Sequence, residues 1–157
     1  MSPSLQQDLK QKKPFRTLQQ EAYLSVVRTS TSLTDALEDL LKPQGISATQ
    51  FNVLRILRGA GADGLCRNAL RDRMLTRMPD MTRLLDRMEE ADLVVRAREG
   101  EDRRMVQTRI TAKGRRLLDD LEAPVMALHK RQMARLTDAQ LRSLSDLLTL
   151  VREGGSG

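Results

Sequence analysis

Apolar residues recur along the chain at three-to-four spacing in long blocks and alternate only in one short region. From about Thr17 to Leu41, Leu18, Ala22, Val26, Leu33, Leu37 and Leu40/Leu41 trace one face of a long amphipathic helix, with one slip in the spacing. Pro43, Gln44 and Gly45 end it. Ser47-Ala-Thr-Gln50 has the spacing of a capping box and opens a second helix on Phe51, Val53, Leu54, Ile56 and Leu57, which Gly59, Gly61 and Gly64 break. Leu65 to Leu75 reads as a short helix with Leu65, Ala69, Leu70 and Met74 inward and Cys66 where a Ser or Thr cap is expected. After Thr76-Arg-Met, Pro79 is expected in the first turn of another helix, where its missing amide has no partner in any case. Met81, Leu84, Leu85 and Met88 form that helix's buried stripe.

The period then changes. Leu93-Val94-Val95 and Val106-Gln107-Thr108-Arg109-Ile110 are β-prone runs of a length to pair, separated by a hydrophilic stretch carrying Arg96, Arg98, Arg103 and Arg104. Thr111 caps the next helix, with Leu117, Leu118, Leu121, Val125 and Leu128 on its apolar side and Pro124 as an expected bend or weak point. Thr137-Asp-Ala-Gln140 is a second capping box. It opens a last helix whose Leu141, Leu144, Leu147/Leu148 and Val151 make a nearly heptad stripe. Gly154-Gly-Ser-Gly157 reads as a flexible tail, and residues 1–16, with Lys10, Lys12 and Lys13, as a flexible basic N-terminus.

Two short helices with a polar, arginine-bearing face on the second, followed at once by a hairpin, make a winged helix-turn-helix pattern. The expected fold is mainly α with a small β-hairpin: a winged helix-turn-helix over about 47–112, flanked by dimerisation helices over about 17–42 and 112–153. The span 17–153 reads as a single domain, and 157 residues suffice for one real core.

Charge sharpens this picture. The net charge is +6, and residues 60–116 hold 14 Lys/Arg against 10 Asp/Glu, with 13 of the 14 cations arginine. Arginine suits planar, two-pronged contacts to phosphate and guanine. On the expected recognition helix, Arg77, Asp80, Thr82, Arg83 and Arg87 lie off the apolar stripe and are candidate contacts to double-stranded DNA. The wing arginines are read as reaching phosphates or the flanking minor groove.

Other chemistries find little support. One cysteine and one histidine cannot build a tetrahedral zinc site, and the sequence offers no Gly-rich phosphate loop and no nucleophile beside a base. No enzyme activity, cofactor or metal is therefore expected. No window approaches the ~18 apolar residues of a membrane span, and the N-terminus lacks a signal-peptide apolar core, so no membrane partner and a cytoplasmic location are expected. Long apolar stripes at both ends, with only Phe15, Tyr23 and Phe51 as aromatics to thicken a core, call for burial between two subunits.

With these features together, the chain resembles the MarR family of winged-helix transcriptional regulators from about Leu18 to Val151. Asp102-Arg103-Arg104 followed by Ile110-Thr111-Ala112-Lys113-Gly114 resembles the family's wing signature, Asp-x-Arg then Leu-Thr-x-x-Gly. Arg83-Leu-Leu-Asp-Arg-Met-Glu and Leu93-Val94 resemble the end of its recognition helix. The resemblance implies a homodimeric repressor on a pseudopalindromic operator. In it Asp102 orients the wing, Arg104 meets DNA and Arg103 takes part. It also implies relief of repression by a small aromatic or phenolic anion, for which Arg28, Arg55 and His129 are candidate contacts on helix membership alone. Asp92 stands where the family usually has Gly after the recognition helix, a position an Asp tolerates in the left-handed conformation. Met78-Pro79 departs from a segment that is often Ser/Thr-rich. Cys66 is not at the position used by peroxide-sensing members. The alternative reading is a helical protein-interaction module or anti-regulator with a degenerate winged helix that does not bind DNA.

Overall fold

The computed structural model describes residues 4–98 and 105–155. Its chain divides into two compact units, Met1–Ala48 and Thr49–Gly157.

In the first unit, Ser4 and Gln7 close a capping box around a single turn, α1 (Leu5–Asp8), within a segment expected to be unstructured. The long helix α2 (Leu18–Leu41) begins where its sequence predicts, with the Thr17 side chain accepting the Gln20 amide. Glu38 near its end accepts the Ala48 N–H at 2.9 Å. Leu41 and Ile46 are buried, whereas Leu18 and Tyr23 are 81% and 68% exposed and Val26 and Val27 are also exposed.

The second unit holds α3 (Ala48–Ala60, from Thr49 onward), β1 (Leu65–Cys66), α4 (Arg67–Asp72), α5 (Met81–Glu90), β2 (Val94–Arg98), β3 (Val106–Ile110), α6 (Ala112–Gln132) and α7 (Asp138–Gly154). Its core draws Leu54 and Leu57 from α3, Leu70 from α4, Leu85 and Met88 from α5, Val94 from β2 and Leu118 from α6, all essentially inaccessible. Two of the capping features named in the sequence perform as expected: Thr111 accepts the Gly114 amide at 3.0 Å, and Thr137 and Gln140 form a capping box. Helix α6 runs on through the exposed Pro124, which has no N–H to return to the preceding turn.

Two expectations are corrected. The segment Leu65–Leu75 is not one helix: Leu65 and Cys66 form a short strand paired antiparallel to Thr108 and Gln107, and α4 starts only at Arg67. The sheet therefore has three strands in the order β1-β3-β2, with Val94 opposite Ile110 and Arg98 opposite Val106 in the hairpin. Gly64 makes the extra strand possible. It adopts φ 68°, and a Cβ there would stand 2.4 Å from the Thr108 carbonyl oxygen. Pro79, in turn, lies outside α5. Asp80 takes the cap position, its carboxylate accepting the Arg83 N–H at 3.0 Å, so Pro79 precedes the cap.

Candidate nucleic-acid interface

Helix α5 separates its two sides cleanly. Met81, Leu85 and Met88 are buried and Leu84 is half-buried, while Thr82, Arg83 and Arg87 are exposed, as are Arg77 and Asp80 ahead of it. Of the residues singled out on this helix, Asp80 has a definite structural task as the N-cap. An anion at a helix N-terminus satisfies free amides and opposes the positive end of the helix dipole.

The exit from α5 is a Schellman turn. Asp92 adopts φ 58°, its N–H donates to Glu89 O at 2.9 Å, and the Leu93 N–H reaches back to Met88 O at 2.9 Å. The left-handed position that glycine often fills is thus held here by Asp92, as the sequence suggested. The start of α6 locks against this turn: the Thr111 hydroxyl donates to Asp92 O at 2.6 Å, its N–H donates to Leu93 O at 3.1 Å, and Lys113 Nζ donates to Ala91 O at 2.8 Å. Gly114 completes the joint, because a Cβ there would lie 2.5 Å from Leu93 O and 2.8 Å from Ile110 Cγ1. The Thr111-x-x-Gly114 spacing has a physical meaning: threonine caps one helix while gripping the end of another, and glycine lets the two backbones meet.

Arg96 corrects a further expectation. Rather than standing among free loop cations, it lies on β2 with its guanidinium between Asp86 Oδ1 at 2.5 Å and Glu89 Oε1 at 3.1 Å. Its N–H donates to Glu89 Oε2 at 2.8 Å. The side-chain hydrogen bond from Arg96, reinforced by its backbone N–H, holds the Glu89 carboxyl below the ordinary carboxylate value, and the Arg96 guanidinium is correspondingly strengthened as a cation. The clamp fastens α5 to the wing strand. Arg98, at the end of β2, is exposed. Asp102, Arg103 and Arg104 lie outside the described residues.

Two polar contacts were missed in the sequence. Asn52 on α3 accepts the Leu75 N–H at 2.9 Å, fixing the connection between α4 and α5. Arg67, the first residue of α4, donates from Nη1 to Thr82 Oγ1 at 2.9 Å. Between α4, α5 and the sheet is a cleft of about 400 Å³ lined by Cys66, Arg67, Thr82, Leu85, Arg96 and Thr108 among others. Cys66 sits at the α4 cap position without a side-chain capping bond. The three ligand candidates are not among the residues of this cleft: Arg28, Arg55 and His129 are all exposed, Arg55 stacking over Phe51 at 5.9 Å and His129 Nδ1 lying 3.4 Å from Gln132 Oε1.

Known proteins share both the sequence and this architecture. The model of the MarR family matches residues 44–105. An HTH-type transcriptional repressor of Mycobacterium bovis, Mb2911, is 30% identical over 121 residues, 77% of this chain and 86% of the relative. The crystal structure of a MarR transcription factor from Planctomyces limnophilus is 39% identical, covers 87% of this chain and 99% of its own, and superimposes with a TM-score of 0.67. The chain belongs to the MarR family. It is a winged helix-turn-helix transcriptional regulator, not an enzyme. A mutant MarR from E. coli complexed with operator DNA, 25% identical over 80% of this chain and 89% of that one, has a TM-score of 0.73. Among the described residues no helix is long and apolar enough to cross a membrane, and no cluster of His, Cys, Asp and Glu could hold a metal ion.

Proposed function

We propose that this MarR-family protein is a homodimeric repressor that reads a pseudopalindromic DNA operator with α5 and its wing. The observation that carries the reading is the Arg96 clamp: it engages the acids on one flank of α5 and leaves Thr82, Arg83 and Arg87 exposed. Arg83, Arg87 and Thr82 then contact bases or phosphates in the major groove, and Arg77 flanks them. Asp80 shapes the helix start at the groove rather than touching DNA, since a carboxylate facing phosphate is repelled. Arg103 and Arg104 serve the wing and Asp102 orients one of them, roles that rest on the sequence motif.

The α2 residues Leu18, Tyr23, Val26 and Val27, and the α7 residues Leu147, Leu150 and Val151, are exposed apolar side chains in their respective units. These exposed apolar side chains support a dimer that would bury them against a second copy. A two-fold dimer sets recognition helices ~34 Å apart on successive major grooves. A fluorescence-anisotropy titration with the duplex upstream of the protein's own gene tests the reading. Specific binding with a steep inverse salt dependence is expected. Salt-independent binding, or none, would favour an interaction module that does not read DNA. An Arg104→Ala variant with unchanged affinity and salt slope would remove the wing assignment.

We further propose that a small aromatic or phenolic anion releases the operator by favouring one of two dimer conformations, with Arg28, Arg55 and His129 retained as candidate contacts. A thermal-shift screen of such anions, repeated in the anisotropy assay, tests this. One compound must both stabilise the protein and release DNA.

A further inference from the structure

The Arg67–Thr82 contact is not absorbed by the architecture: it joins the first residue of α4 to the second residue of α5, and both side chains are exposed. Its chemical sense is fixed. A guanidinium only donates, so Thr82 Oγ1 is the acceptor and its hydroxyl proton remains available. Other threonines in helices direct that proton inward, as Thr31 does to Val27 O at 3.1 Å, Thr34 to Ser30 O at 2.9 Å and Thr149 to Ser145 O at 3.0 Å. Thr82 has no such option. It lies in the first turn of α5, and Met78, four residues back, precedes the helix and even its Asp80 cap.

We infer that Arg67 is a positioning residue that makes Thr82 a hydrogen-bond donor in the groove. A free threonine hydroxyl serves donor and acceptor edges alike. Held by Arg67, Thr82 has one of its two lone pairs occupied and keeps its proton free, so its hydroxyl becomes a donor-biased unit. That unit favours base edges that accept, such as guanine O6 and N7 or thymine O4. It disfavours the amino group of cytosine. This rests on the DNA-binding reading above and adds to it one position of preference in each half-site, set by a residue outside the recognition helix.

The test is selection from a library of duplexes with randomised cores, followed by anisotropy titrations on the selected sequence and its single-base variants. Wild type must first yield a selected sequence with salt-dependent affinity. If it yields none, the DNA-binding reading fails, and this inference with it. With a sequence in hand, wild type is expected to discriminate on the order of tenfold against cytosine at the Thr82 position. Arg67→Ala relaxes that one position, while Arg67→Lys and Thr82→Ser keep the sign of the preference. In a Thr82→Val background, Arg67→Ala has no further effect on base preference there. The inference is overturned if Arg67→Ala weakens all duplexes alike, lowering the salt slope by about one with the base preferences intact. That is the signature of a plain phosphate contact. Additive effects of the two substitutions on that position overturn it equally.

Discussion

Gly114→Ala and Gly59→Ala are the same chemical change on two helices and should shift stability in opposite directions. At Gly114 the new Cβ would stand 2.5 Å from Leu93 O, 2.8 Å from Ile110 Cγ1 and 3.3 Å from Leu54 Cδ2. A carbon-to-carbonyl contact normally settles at ~3.3 Å or more, so the α5 exit and the α6 start must separate by most of an ångström. The obstructing carbonyl also accepts the Thr111 N–H, so the shift strains a hydrogen bond as well. Overpacking of this kind costs about 1–3 kcal/mol and a weakened hydrogen bond about 0.5–1.5 kcal/mol, against a gain of up to about 1 kcal/mol in helix propensity. The net expectation is a loss of about 2 kcal/mol, or roughly 4–8 °C in Tm for a chain of this size. Gly59 has nothing within 4 Å of the built Cβ, so alanine there should gain up to about 1 kcal/mol. Urea and thermal unfolding measure both, at fixed protein concentration because unfolding of the proposed dimer depends on it. A Gly114→Ala protein as stable as wild type, or two shifts of the same sign, would refute the account of the α5–α6 joint.

Further substitutions examine the clamp and the turn. Arg96→Met leaves Asp86 and Glu89 facing each other and frees the wing strand from α5; operator affinity should fall several-fold in anisotropy while unfolding shifts by only about 1 kcal/mol, as partly exposed ion pairs contribute little to stability. Because Glu89 ionises below its ordinary range when folded, its stabilising effect is complete above the unfolded carboxylate value of about 4.3 and is lost as pH falls through the lower folded value. The stability gap between wild type and Glu89→Gln should therefore be flat at neutral pH and close on acidification, and a gap that widens in acid would contradict the clamp. Asp92→Gly should raise stability by about 0.5–1 kcal/mol in urea unfolding, because glycine adopts φ 58° without the crowding of a Cβ. Asp80→Ala should cost about 1 kcal/mol as a lost N-cap, measurable by the same assay and recovered in Asp80→Ser.

What could be read from the sequence was what is local along it. Thr111 and Thr137 cap helices within three residues of themselves, so spacing alone exposed them, and the left-handed Asp92, two residues past the end of α5, stands at the position the family resemblance marks for glycine. The two-residue strand β1 carries no periodicity, and its partner, β3, lies some forty residues on. Gly64 was legible as a break but not as the close approach to Thr108 that permits the pairing. The Arg67–Thr82 and Asn52–Leu75 bonds likewise join residues 15 and 23 apart, and no local pattern announces them. Pro79 was misplaced by one rule that competed with another: proline suits a first helical turn, but Asp80 is the stronger cap and set the boundary.

The charge of α5 shows why the distinction matters for function. Counted from the sequence, residues 76–92 hold three arginines against five acids, a net negative segment that argues against an approach to phosphate. The structure redistributes those acids. Asp80 turns its carboxylate to the helix amides, and Asp86 and Glu89 close on Arg96, a cation supplied from the wing strand. Glu90 and Asp92 stand at the far end, where the helix gives way to its Schellman turn. Among the described residues Arg77, Arg83 and Arg87 form no ion pair, so the exposed side of α5 presents cations although the segment as a whole does not. Wing and helix are thus electrostatically complementary before DNA is involved: Arg96 of β2 neutralises one flank of α5, and the face proposed to read DNA is left basic.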